Sequence, residues 1–150
     1  MSLKEQLQSD LTTAMKSRDE LTASTLRMAL TAITTEEVAG KQARRLSDDE
    51  VLKVLTREAK KRREAAEAFS GAGRDELAQR ELDEGKVLAG YLPAQMGDDE
   101  LAALVRDAIE ESGAGGPQAM GQVMKVVQPK VAGRAEGGRI AAEVRRQLGS

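Results

Sequence analysis

Six cations close this 150-residue chain: Lys125, Lys130, Arg134, Arg139, Arg145 and Arg146, with only Glu136 and Glu143 among them after Gly121. Lysine and arginine at that density are ligands for phosphate, and they gather at one end of a chain whose formal charge is −2. A second group, Arg74, Glu81, Glu84 and Tyr91, contains residue types that can move protons. A carboxylate pair works as acid and base only where its surroundings drive the two pKa values apart. The spacing suits a structural ion pair between Arg74 and Glu81, with Tyr91 packed at the junction of two parts. The chain has no His and no Cys. The usual general base near neutral pH, the commonest metal ligand, the thiolate nucleophile and the disulfide are therefore all missing. The sequence assigns no catalytic, cofactor-binding or metal-binding residue.

Helices must position these groups. The apolar content is mostly Ala, Leu, Val and Met, with one Tyr, one Phe and no Trp, and no β-branched run alternates with polar residues. The class is all-α. Ser2 and Glu5 form an S-x-x-E capping box, followed by a stripe of Leu3, Leu7, Leu11, Ala14 and Met15. After the polar break at 17–19, Leu26, Ala29, Leu30 and Ile33 mark a second helix that frays near Gly40. Residues 41–46 (KQARRL) read as an exposed basic loop. Ser47 and Glu50 repeat the capping logic, and Val51, Leu55, Ala59, Ala66 and Phe69 continue a long third helix to Gly71–Gly73. A fourth carries Leu77, Leu88 and Leu92 inward until Pro93 ends it.

Residues 93–98 (PAQMGD) are the best boundary, dividing the chain into about four helices over 1–93 and a small three-helix tail domain over 94–150. In the tail, Asp98 or Asp99 caps a helix with Leu101, Leu104, Val105, Ala108 and Ile109 inward, closed by Gly113, Gly115 and Gly116. Pro117 opens the next, with Met120, Val123, Met124 and Val127 buried, and Pro129 and Gly133 stop it. Ile140, Val144 and Leu148 mark the last. Three matching stripes make a minimal bundle. The chain shows no internal repeat and no low-complexity tract. Its apolar runs are far too short to span a membrane and no signal segment opens it, so the expected location is the cytoplasm.

Wound at about 100° per residue, Arg139, Arg145 and Arg146 fall away from the Ile140/Val144/Leu148 stripe, and Lys125 lies opposite Met120 and Val127. The competing reading is that cations late in a helix simply complement its dipole. Arg57 and Lys60–Arg63 (KKRR) lie among Glu58, Glu64 and Glu67 and read as a solvated, self-paired face. Arg44 and Arg45, without such neighbours, read as free cations. Gly121, where glycine costs about 1 kcal/mol relative to alanine, reads as a close packing contact between Met120 and Met124. Without an aromatic platform, base-stacking recognition of single strands is not expected.

The 121–125 segment (GQVMK), followed by Gly133-Arg134-Ala135 and a closing Ile/Val/Leu helix, resembles the tail of the GatB/YqeY family. That tail ends the B subunit of the amidotransferases acting on Glu-tRNA(Gln) and Asp-tRNA(Asn). Leu26-Arg27, KKRR at 60–63, Phe69, Gly73-Arg74, Glu81 and Tyr91-Leu92-Pro93 resemble the other half of a free-standing YqeY-like protein. Arg134 replaces a Lys, and Glu136-Gly137 an Asn-Pro, of the B-subunit tail. The large kinase-like region of that subunit is absent, as is any Ser/Lys amidase site. The resemblance implies a tRNA-associated adaptor that contacts the outer body of tRNA through Lys125, Lys130, Arg134, Arg139, Arg145 and Arg146, with no cofactor, no membrane and no DNA. Carbon–nitrogen ligation with glutamine as amide donor is implied only by association. The alternatives are a module that docks on an amidotransferase, synthetase or other protein, and an accessory subunit of amide transfer.

Overall fold

The computed structural model describes residues 1–113 and 115–149, and its regular elements among them are all helical. They are α1 (Leu3–Lys16), α2 (Glu20–Glu37), α3 (Asp48–Gly71), α4 (Asp75–Ala89), α5 (Asp98–Ser112), α6 (Met120–Val131) and α7 (Gly137–Leu148), with a 3₁₀ turn at Pro117–Ala119 before α6. The chain divides into two compact units, Met1–Leu92 and Pro93–Ser150.

In the first unit, Ser2 accepts from the Glu5 backbone N–H, and Ser47 and Glu50 complete a reciprocal capping box. Asp19 caps α2 by accepting from Thr22. These caps direct Leu7, Leu26, Ile33, Val51, Leu55 and Leu88 into one core, where each buried aliphatic side chain contributes about 1.5–3 kcal/mol. Several inward assignments differ. Met15 is 53% exposed and Leu77 41% exposed, the one in the last turn of α1 and the other in the first turn of α4. Leu92 packs against the core from outside the helix, since α4 ends at Ala89. The 41–46 loop is not wholly exposed: Leu46 is buried in the same core.

The second unit has its own core, built on Leu101, Val105, Val123, Val127, Ile140 and Val144, with Met96 folded in from the preceding segment. Gly97, rather than Asp98 or Asp99, is the N-cap of α5, and both acids lie in its first turn. Favourable placement of negative charge at a helix start explains them without a capping bond. Pro129 does not stop α6, which continues through it to Val131. The continuation buries Val131 fully, and Ala132, at φ 50°, then ends the helix in the left-handed region. Gly121 is not a packing contact, since a Cβ there would meet nothing within 4 Å.

Candidate nucleic-acid interface

Charge in the second unit is segregated by helix. α5 carries six acids and one arginine, whereas residues 120–149 carry six cations and two acids. The buried stripes of α6 (Val123, Val127, Val131) and α7 (Ile140, Val144) fix which residues face outward. Lys125, Arg145 and Arg146 are exposed. Two glycines, Gly137 and Gly138, form the first turn of α7, and a Cβ on either would meet nothing within 4 Å. The backbone of that turn is consequently open to a partner.

The six candidate cations differ in what already holds them. Lys125 makes no ion pair among the described residues. Lys130 pairs with Glu111 of α5. Arg146 pairs with Glu143 one helical turn before it, and that arginine is the leading reason the Glu143 carboxyl lies below its usual range. Arg134 and Arg139 converge on the segment leading into α5. The Arg134 Nε donates to the Ala94 carbonyl at 2.9 Å, and its Nη1 lies 3.0 Å from Glu100. The Arg139 Nη2 donates to the Met96 carbonyl at 2.9 Å and to Asp98 at 3.0 Å. Exposed pairs of this kind are individually weak and readily exchanged for other anions.

The basic run in α3 is built differently. Lys60 and Lys61 pair locally with Glu64 and Glu58, and Arg57 reaches Glu36 of α2. Arg62 instead points inward, its side chain 15% exposed, with Glu58, Glu81 and Glu84 within 4.0 Å and the Met28 sulfur at 3.2 Å. Glu81 therefore pairs with Arg62 and not with Arg74. Its Oε2 lies 3.3 Å from Arg62 Nε, near enough for charge attraction, yet it accepts no hydrogen bond and is shielded from solvent. Burial first, and then the neighbouring Glu84, push the Glu81 carboxyl above its usual range.

Tyr91 packs against the first core, and its hydroxyl donates to Asp10 at 2.5 Å. Burial, then that bond, raise the phenol above its usual range. Arg44 and Arg45 are not free: Arg44 makes a two-pronged pair with Glu50 and Arg45 reaches Glu5 at 2.8 Å. The acids that neutralise the tail were missed because Glu100, Glu111 and Asp98 lie 19 to 41 positions from their partners. Glu143–Arg146, three residues apart, does carry a local signal.

Residues 4–148 match the family described as Yqey-like protein. An uncharacterised protein of Schizosaccharomyces pombe is 40% identical over 81 residues, covering 53% of this chain and 63% of that protein. The protein named altered inheritance of mitochondria protein 41, mitochondrial, of Pyrenophora tritici-repentis is 33% identical over 134 residues, covering 86% of this chain and 71% of that protein. The chain thus spans less than two thirds of the fission-yeast relative. No helix among the described residues is long and apolar enough to cross a membrane.

Proposed function

The chain belongs to the YqeY-like family, and we propose that it is a cytoplasmic, tRNA-associated adaptor whose second unit seats on the phosphate backbone of structured RNA through its α6–α7 side. The observation carrying this reading is the separation of charge within that unit, acids on α5 and cations on α6, α7 and the turn between them. A segregated cationic side can approach a polyanion even though residues 93–150 hold seven Lys/Arg against eight Asp/Glu. Resemblance of the 120–148 segment to the tail of tRNA amidotransferase B subunits supplies the class of RNA. Recognition rests on shape and phosphates, because residues 93–150 contain no aromatic side chain for stacking. Any amide transfer with glutamine as donor belongs to subunits that associate with this chain.

The test is titration into labelled, folded tRNA at low and physiological salt, with an RNA duplex of equal length as competitor. Each phosphate neutralised should contribute about 0.7–0.9 to the slope of log affinity against log salt. The combined variant Lys125→Glu, Arg134→Glu, Arg145→Glu is expected to lose tRNA binding while far-UV circular dichroism stays that of the parent. Undiminished binding by that variant overturns the reading.

A second reading, docking on an amidotransferase, synthetase or other protein, is favoured by a feature of the first unit. Ala66 and Ala78 line an open groove between the end of α3 and the start of α4, bordered by Leu82, which is 45% exposed. Binding of a protein partner that survives high salt and is lost in Leu82→Asp would support it.

A further inference from the structure

We infer that Arg134 and Arg139 form a clasp on the 94–98 segment that the phosphodiester backbone of RNA must open, so that RNA capture and release of this segment are one event. The inference rests on the tRNA-binding reading and adds a regulatory contact to the same site.

Four hydrogen bonds stitch the segment to the turn between α6 and α7 and to the first turn of α7. Arg134 donates from its side chain to the Ala94 carbonyl, and its own carbonyl accepts from the Met96 backbone N–H at 2.7 Å. Arg139 donates to the Met96 carbonyl. The Gln95 amide donates to the Gly133 carbonyl at 3.4 Å, and a Cβ on Gly133 would lie 4.0 Å from the Pro93 ring. Both guanidinium groups also face carboxylates at the start of α5, Glu100 for Arg134 and Asp98 for Arg139.

The clasp is accessible. The two arginine side chains are 38% and 34% exposed, so a phosphate can reach them from solvent. A guanidinium presents a planar fork that matches phosphate as well as carboxylate. It cannot satisfy a new bidentate partner while the same N–H groups donate to Ala94, Met96, Asp98 and Glu100. Phosphate at Arg134 and Arg139 therefore competes directly with the bonds that hold 94–98. Asp98 and Glu100 act as internal anions occupying the seats of the external one. By linkage, whatever loosens the segment strengthens polyanion binding, and polyanion binding loosens the segment.

Two measurements on the full chain decide the matter. The first compares tRNA affinity of the parent, of Asp98→Asn/Glu100→Gln, and of Asp107→Asn/Glu110→Gln, which removes the same charge from elsewhere on α5. The clasp variant should gain about fivefold over the charge-matched control, the factor expected when a competing exposed ion pair is removed. The second follows amide hydrogen exchange at Met96 in the parent protein, which should speed up on addition of tRNA. It should also speed up without RNA in Arg134→Gln/Arg139→Gln, which keeps the measurement independent of how the acid variants fold. Equal gains in the two acid variants, or tRNA binding that leaves Met96 exchange unchanged, overturns the clasp while leaving tRNA binding standing. Absence of tRNA binding by all three proteins at low salt overturns the tRNA reading, and the coupling with it.

Discussion

The α3–α4 pair and the α6–α7 pair both carry dense positive charge, and the fold uses it in opposite ways. KKRR at 60–63 is the most basic run in the sequence, yet its Arg62 is drawn inward to hold three carboxylates from two helices. The tail cations are more scattered, and their ion pairs remain at the surface. A buried arginine among acids holds helices together because removing it strands charge in a poor solvent. A surface arginine paired with a carboxylate is held loosely enough to change partners. Burial, rather than the density of basic residues, decides which cations a ligand can recruit.

The largest expected effect separates these two uses. Arg62→Ala should destabilise the first unit by about 3–5 kcal/mol, since Glu58, Glu81 and Glu84 lose their common counter-charge. Arg134→Ala should cost under about 1 kcal/mol. Urea denaturation followed by far-UV circular dichroism measures both, and comparable losses would break the distinction.

A smaller effect comes from pH, with opposite signs at two glutamates. The Glu50 carboxyl is held down to about 2, chiefly by the Arg44 guanidinium and then by the Ser47 backbone N–H. Its contribution is fully present above the ordinary value of 4.5 and is lost as pH falls from there toward about 2. The Glu81 carboxyl is raised, so its ionisation in the folded state opposes folding, and that opposition fades as pH falls through its raised value toward 4.5. Glu50→Gln should therefore be less stable than the parent at neutral pH and converge with it in acid. Glu81→Gln should be more stable at neutral pH and converge likewise. Denaturation midpoints from pH 7 to pH 3 check the signs, and a neutral-pH loss in Glu81→Gln would contradict the account of that buried oxygen.

The smallest effect is common to both units. Arg18 (φ 60°), between α1 and α2, and Ala132 (φ 50°), at the end of α6, sit in the left-handed region without being glycine. Arg18→Gly and Ala132→Gly should each add up to about 1 kcal/mol of stability, since relief of a Cβ–backbone clash of about 1–2 kcal/mol is partly offset by the roughly 0.5–1 kcal/mol that glycine's extra chain entropy costs. A rise in thermal midpoint for each variant is the outcome to look for.

Local rules made most of the fold legible. Ser2 and Ser47 start α1 and α3 where the S-x-x-E spacing places them, and the stripes of α2, α5 and α7 point inward as their periods require. Misreadings cluster where a residue's fate depends on something distant. Arg44 and Arg45 have no acid beside them in an exposed helix face, but the loop returns them to Glu50 and Glu5. Pro129 reads as a stop because proline removes a helical hydrogen bond, and the burial of Val131 two residues later outweighs it. For the candidate interface, the positions of the cations on their helices could be read from the period, whereas the carboxylates that occupy Lys130, Arg134 and Arg139 could not. Those partners are set by how α5 packs beside α6 and α7, which no spacing in the sequence encodes.

The hydrogen bond from Tyr91 to Asp10 also governs what light can report about this molecule. Tyr91 is the sole tyrosine and there is no tryptophan, so intrinsic emission arises in the α1–α4 core alone, beside an acceptor whose separation on unfolding will alter the signal. Residues 93–150 contain no fluorophore. A fluorescence trace would be blind to melting of the tail, and a tryptophan placed there by design would give each half its own optical voice.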